Sequence, residues 1–357
     1  MKKFMFLAMM SAFMFACSDK DDPASANENP EGNVTFEIAA VNNMQDGVNS
    51  RAPLYSQEAT QHVTRVLVHA FANNGTDYVF SKTFTISGWS DGTTFKRYSV
   101  ASADNLPAGD YKFLAIGRDA SDMFTVTSPA ANQSFGSMTA SITNSGDESE
   151  IFAGWSQATI TSNGGARVSI SMTRKVAGVL GYFVNVPAEV NGTAVKYLRL
   201  TVSDANQSVN LTSGAAISSP VASYDIINMD LSGQAVNGLV YSGNDLSSQG
   251  VVKLANSQLS GSFFMPVSNA TMTLGLYDAS NSPLRTWTVK DTDDNTSFNI
   301  LANHFYSLGV KKQAGNTNGG TGSDPSDDDA PIDLFTDQSI VITISPAWEM
   351  IHNLVIQ

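Results

Sequence analysis

The segment Val34-Thr35-Phe36-Glu37-Ile38-Ala39-Ala40 alternates between apolar residues and polar or small ones. Val34, Phe36 and Ile38 lie on one face of an extended chain, because successive side chains of a β-strand point to opposite sides. An amphipathic helix would need apolar residues three and four positions apart instead. The segment therefore predicts a β-strand with one buried face and one polar face.

Comparable runs follow along the chain, separated by clusters of Gly, Asn, Asp and Pro that favour turns. No segment carries an apolar stripe with helical spacing over three turns. Short strands at short spacing indicate an all-β protein built of antiparallel sandwiches. The further predicted strands are residues 63–71, 80–86, 109–117, 151–160, 166–172, 176–186, 195–202, 262–264, 271–277, 284–289 and 304–310.

Length and composition agree with this fold class. The 357 residues leave room for about two domains, and charged residues make up 15% against a usual ~25%. Ser, Thr, Asn and Gly take their place, and these residues suit strands and turns better than helices. The net charge of −13 argues against a nucleic-acid partner, which would require a basic surface.

The amino terminus is typical of an export signal. Two lysines precede an apolar run of about 13 residues, which is too short to span a bilayer. Cys17, the single cysteine, follows directly, so residues 1–17 are interpreted as a bacterial lipoprotein signal with a lipidated Cys17; a plain secretory signal is the alternative. The acidic run 18–22 resembles the surface-export tag of Bacteroidetes lipoproteins, and residues 18–33 are predicted to be a tether.

The chain after the tether divides into four predicted parts. Residues 34–173 form an N-terminal β-sandwich, 174–311 a C-terminal β-sandwich, 312–331 an acidic Gly/Ser/Asp linker and 332–357 a C-terminal strand tail. Ile340, Ile342 and Ile344 alternate like the first strand. A long polar loop before a last strand is uncommon in a compact domain, and it would let that strand pair elsewhere.

No complete catalytic or metal-binding pattern occurs in the sequence. The four histidines include no zinc-protease pair around a glutamate, and neither a nucleophile elbow nor a phosphate-binding loop occurs. Asp291 begins a stretch like a calcium loop, but Thr296 replaces the required glycine and Ala302 the required glutamate. The sequence predicts no enzyme, no cofactor and no metal site.

Three tryptophans leave a binding function open. Trp89, Trp155 and Trp287 would form a sugar platform if they were exposed on one face, or core packing if they were buried. The alternative function is therefore a surface glycan-binding lipoprotein of a nutrient-uptake system. Burial of these side chains would remove its main support.

Arg51 is the only basic residue between Lys20 and Arg65, and it lies among turn-forming residues of the kind that proteases cut. A cut between Arg51 and Ala52 would leave strand 34–40 held only by non-covalent contacts. Loss of that strand would open an apolar groove that a neighbour's strand could fill. Such head-to-tail contacts build a filament, whereas a terminal strand that packs within its own chain gives a monomer.

Five features follow one another along the chain. They are the lipoprotein start, Arg51-Ala52, Ile151-Phe152-Ala153-Gly154, Thr173-Arg174-Lys175-Val176-Ala177 and Asn303-His304-Phe305-Tyr306-Ser307-Leu308. In this order they resemble the fimbrillin family of Bacteroidetes, with its FimA-type and minor-fimbrillin type V pilins, over essentially the whole chain. The resemblance implies two tandem transthyretin-like β-sandwich domains with a C-terminal strand tail.

The same resemblance implies a function. It implies a fimbrial subunit that is exported as a lipoprotein to the cell outer membrane, cut by an Arg-specific protease and polymerised with other subunits by strand exchange, in support of adhesion. Cys17 matches the lipidated residue, Arg51-Ala52 the cleavage site, 34–40 the displaced strand and 340–357 the donor tail. The ending 348–357 departs from what is expected of a major shaft subunit, so shaft, tip and anchor roles stay open. An anchor would keep its lipid and would need no cut at Arg51.

Overall fold

The computed structural model describes residues 33–40, 63–90, 93–119, 122, 124–142, 149–161, 165–217, 221–243, 251, 253–311, 329–336 and 339–345. Their regular structure consists of β-strands and two short 3-10 turns, Ser102–Asp104 and Phe135–Ser137. The all-β prediction is confirmed, whereas the transthyretin-like assignment stays a prediction. Within these ranges no helix has the length and apolar character needed to cross a membrane.

The first sandwich is built from nine strands: β1 (Thr35–Ala40), β2 (Arg65–Asn73), β3 (Tyr78–Ile86), β4 (Phe95–Ser99), β5 (Gly109–Arg118), β6 (Thr125–Val126), β7 (Thr139–Ser141), β8 (Ile151–Ile160) and β9 (Arg167–Arg174). Seven of them follow the order β3-β2-β5-β8-β9-β1-β4. Strands β8 and β9 pair only at Phe152–Arg174 and Ala153–Thr173, and beyond these pairs the two halves face each other across a shared core. A Cβ at Gly154 would overlap the Ser171 carbonyl oxygen, so glycine permits this close crossing.

The second sandwich follows as β10 (Ala177–Val184), β11 (Glu189–Val190), β12 (Thr193–Ala194), β13 (Tyr197–Asn206), β14 (Ser208–Asn210), β15 (Val221–Asp230), β16 (Val236–Asn237), β17 (Val240–Tyr241), β18 (Ser257–Phe264), β19 (Val267–Tyr277), β20 (Pro283–Lys290), β21 (Phe298–Ile300), β22 (Phe305–Leu308), β23 (Ile332–Asp333), β24 (Ile340–Val341) and β25 (Thr343–Ser345). One layer has the order β15-β13-β19-β20-β24 and the other β18-β10-β22-β25. A large apolar core lies between the layers.

The two sandwiches meet in a hydrogen-bonded contact. Strand β14 of the second pairs with β7 of the first, and together with β6 they form a small sheet. Val209 and Met265 of the second sandwich share an apolar cluster with Leu114 and Met138 of the first. The predicted boundary at 173–174 lies at the end of β9, and the independence of the two predicted domains stays a prediction.

Candidate functional site

Strand β1, the predicted displaced strand, is an internal strand of its sheet. It pairs in parallel with β9 and antiparallel with β4, so Phe36 lies opposite both Val168 and Tyr98. Both ends are also fixed: the Thr35 amide donates to the Ala166 carbonyl at 2.8 Å, and the Ala40 amide donates to the Thr94 carbonyl at 2.9 Å. Removing β1 would therefore leave a gap between two strands and would not simply shorten an edge.

The inner face of β1 supplies the centre of the first core. Val34, Phe36 and Ile38 are at most 1% exposed. The Phe36 ring lies 5.2 Å from the Phe84 ring and 5.3 Å from the Phe113 ring, between centroids. Aromatic rings at such separations add to the free energy gained from apolar burial. Without β1, the Phe84 and Phe113 side chains would line an apolar groove.

The outer face of β1 carries a carboxylate that bridges both neighbouring strands. Glu37 Oε1 accepts hydrogen bonds from Arg97 Nε of β4 at 2.9 Å and from Arg167 Nη2 of β9 at 2.5 Å. Glu37 Oε2 accepts a hydrogen bond from the Ser169 hydroxyl at 3.2 Å. The hydrogen bond from Arg167, followed by that from Arg97, outweighs the effect of burial and lowers the pKa of Glu37. We name Glu37, Arg97, Arg167 and Ser169 the carboxylate clamp.

The chain enters β1 through a tight contact with the segment before β9. Ser102 Oγ and Asn105 Nδ2 donate to Asn33 Oδ1 at 3.4 and 3.0 Å, which orients this residue. A Cβ built on Gly165 would overlap the carbonyl oxygen of Asn33. Glycine at 165 is thus required for the close approach of the two backbones.

Replacement of Gly165 by Ala is expected to loosen β1 at its start. Because a methyl group has no space there, Asn33 must shift and the first hydrogen bonds of β1 weaken. Hydrogen exchange of the amides of β1 should rise at least several-fold relative to the wild type. Gly136→Ala is the matched control, since nothing lies within 4 Å of a Cβ at that position; equal exchange in both variants would contradict the prediction.

The predicted donor strand lies inside the second sandwich. Ile340 and Ile342 are fully buried in its core, and Ile344 is half-buried against it. Ile340 pairs with Val289 of β20, whereas Ile344 pairs with Tyr306 of β22 in the opposite layer. The segment 339–345 thus joins both layers, and it would have to leave its own core to be donated as a whole.

The chain is fixed on both sides of the segment 312–328, which lies outside the described residues. Val310 and Ala330 exchange two backbone hydrogen bonds of 2.8 Å. Next to them, Lys311 Nζ lies 2.9 Å from Asp329 Oδ2, with side chains only 5% and 1% exposed. Residues 329 and 330, near the end of the predicted linker 312–331, are therefore held against residues 310 and 311, which follow β22.

Three predicted site residues, Cys17, Arg51 and Ala52, also lie outside the described residues, so lipidation and cleavage stay predictions.

The structure brings the predicted residues of β1 together with Arg97 and Arg167, which sequence reasoning missed. The available signal was a lone acidic residue at the centre of the polar face of the opening strand. Its partners follow 60 and 130 residues later, and the alternation pattern does not identify them.

The tryptophans do not form one surface. Trp89 and Trp287 are each 7% exposed and belong to the cores of different sandwiches. Trp155 is 45% exposed, and Lys112 Nζ lies 5.2 Å from its ring centroid. The predicted platform thus loses two of its three members.

Within the described ranges, no group of three His, Cys, Asp or Glu side chains is arranged to hold a metal ion.

A protein-family model matches most of the chain. The model of the family described as fimbrillin-A associated anchor proteins Mfa1 and Mfa2 matches residues 30–353. No curated protein sequence matches the chain.

Solved structures resemble the chain weakly. A candidate adhesin from Bacteroides thetaiotaomicron is 14% identical over 73% of this chain and 81% of its own, with a TM-score of 0.46. The fimbrial anchor protein Mfa2 from Porphyromonas gingivalis is 11% identical over 80% of this chain and 94% of its own, with a TM-score of 0.41. No role is inferred from likeness at this level.

Proposed function

Because the chain belongs to the family of fimbrillin-A associated anchor proteins Mfa1 and Mfa2, we propose that it is a lipid-anchored structural subunit of a fimbria whose exchange position is β1. The family consists of fimbrial and adhesion proteins of the cell surface. The finer proposal adds the lipid on Cys17, the cut between Arg51 and Ala52, and assembly with other subunits by strand exchange.

The single observation that supports this proposal most is the place of β1 in the sheet. It is the first strand along the chain, yet it lies between β4 and β9, which come later in the sequence. The proposed lipid attachment precedes β1 and the proposed cleavage site follows it. One cut after Arg51 would therefore leave the body joined to its lipid only through the hydrogen bonds, core contacts and carboxylate clamp of β1.

Two roles differ by this one bond. With the bond intact, β1 stays covalently continuous with the body, and the chain acts as the anchor of the fimbria in the outer membrane. With the bond cut by an Arg-specific protease, β1 can leave with the lipid, and a strand of a neighbouring subunit takes its place. The cut chain would then be a shaft or tip subunit.

We expect Cys17→Ala to move the protein from the outer-membrane fraction to the soluble fraction in the native host, with Ser18→Ala as the matched control. Arg51→Ala separates the two roles: an anchor assembles normally without the cut, whereas a shaft or tip subunit no longer enters fimbriae. Fractionation and immunoblotting of sheared fimbriae provide the measurement. Membrane retention of the Cys17→Ala protein would overturn the proposed lipid attachment.

A further inference from the structure

We propose that Arg97, Arg167 and Ser169 form a carboxylate-reading site, which selects a strand with an acidic residue between two large apolar residues for the β1 position. The occupant that we infer is the carboxyl-terminal segment 346–357 of a second copy, with Trp348-Glu349-Met350 in place of Phe36-Glu37-Ile38. The inference rests on the proposed strand exchange and specifies its partner.

The three residues of the carboxylate-reading site all belong to the strands that border the groove. Arg97 lies on β4 directly opposite Glu37, and Ser169 holds the corresponding position on β9. Arg167, two residues before Ser169, lies on the same face of β9 and reaches the same carboxylate oxygen as Arg97. If β1 leaves, these groups stay with the body of the protein, because none of them is part of β1.

The chemistry of the position favours a carboxylate over a neutral side chain. The Glu37 side chain is 9% exposed, whereas those of Arg97 and Arg167 are 62% and 65% exposed. Two guanidinium groups and a hydroxyl donate hydrogen bonds to the carboxylate. Both carboxylate oxygens accept hydrogen bonds, and the ionised group carries no hydrogen that would face these donors. Arg97 and Arg167 would remain solvated without a partner, so we expect only a moderate preference for a carboxylate over a neutral side chain.

The same contact fixes the register of the incoming strand. A shift by one residue would turn the acidic side chain toward the core, where an unpaired charge is costly. A shift by two residues would place the position of Thr35 or that of Ala39 opposite Arg97 and Ser169, where Glu37 now lies. The order apolar, acidic, apolar therefore defines one alignment out of several that would bury the same alternating face.

Residues 340–357 contain one such triplet. The docked strand Ile340-Val341-Ile342-Thr343-Ile344 offers only Val341 or Thr343 on its other face and has no acid. The chain continues for twelve residues, 346–357, beyond the last described strand, and Trp348-Glu349-Met350 lies within them. Donation of this segment would leave Ile340 and Ile342 buried in their own sandwich.

The test uses the full mature chain, cut after Arg51, unfolded in urea and refolded with excess fluorescent peptide. The peptides are residues 33–42 and 345–355, each with Glu or with Gln at the acidic position. We expect both Glu peptides to be incorporated about five- to tenfold better than their Gln versions. In the Arg97→Gln/Arg167→Gln variant, this ratio should fall to about one while both peptides still bind.

Each other result has a defined meaning. Equal incorporation of Glu and Gln peptides, or a ratio unchanged by the arginine substitutions, overturns the carboxylate-reading site but leaves strand exchange intact. Incorporation of peptide 33–42 without peptide 345–355 overturns the inferred occupant. If peptide 33–42 itself does not enter, the exchange position fails together with the inference, whereas the lipid attachment is tested separately by Cys17→Ala.

Discussion

Replacing Phe36 by Ala is expected to lower the free energy of unfolding of the first sandwich by about 3–5 kcal/mol. The ring is fully buried and lies against Phe84 and Phe113, so its loss leaves a cavity in the centre of the core. Backbone hydrogen bonds on both sides of β1 limit collapse of the surrounding strands into that space. Urea unfolding followed by tryptophan fluorescence measures the change, because Trp89 is buried in this core.

Phe95→Ala provides the matched control in the adjacent strand β4. Its side chain is 52% exposed, so the same chemical change should cost below about 1 kcal/mol. If the two variants were equally stable, β1 would not occupy the groove between β4 and β9 in solution. The displaced-strand proposal would then lose its physical basis, because no groove would need refilling.

Replacing Ile342 by Ala is expected to lower the free energy of unfolding of the second sandwich by about 2–5 kcal/mol. Ile342 is fully buried between β24 and β25, and its amide donates to the Lys290 carbonyl at 2.7 Å. Urea unfolding reports this change through Trp287, which lies in the same core.

Val341→Ala is the control, since Val341 is 42% exposed and its truncation should cost below about 1 kcal/mol. A large difference between the variants means that segment 339–345 stays docked in its own sandwich before assembly. If Ile342→Ala left the stability unchanged, the segment would be undocked in solution. The complete tail 340–357 would then be free to serve as the donor, in place of the shorter segment inferred above.

Both expected effects bear on how exchange could occur. A strand that contributes several kcal/mol to its own sandwich does not leave on a useful timescale unless another strand replaces the lost contacts. For β1, the replacement must fill the sites of Phe36 and Ile38 and satisfy the clamp around Glu37. For segment 339–345, no such replacement is needed if donation begins after Ser345.

Most strands could be predicted from alternation, and those that were missed have identifiable reasons. β4 has only weakly apolar alternation, because this strand lies at the edge of the sheet order and Phe95, Arg97 and Ser99 point to solvent. In β15, Tyr224, Ile226 and Ile227 are all buried. Register shifts against β13 interrupt its period of two, so the apolar residues do not alternate cleanly.

The candidate site was predicted in part. The residues of β1 that face the core were identified from the sequence, because the period of a strand alone defines its faces. The clamp on its other face was not, since a single Glu on a polar face is ordinary in a solvent-exposed strand. The tryptophans show the same limit, because burial of Trp89 and Trp287 but not Trp155 depends on which face another layer covers.

The amino-acid sequence by itself determined the all-β class, the approximate positions of the long strands and the family resemblance that the match over residues 30–353 supports. The tertiary structure alone decided that β1 lies parallel to β9, that Glu37 joins three strands and that Ile340 and Ile342 return to their own core. The reason is that alternation specifies which side chains face inward, whereas the identity of a strand's neighbours depends on pairing between residues far apart along the chain.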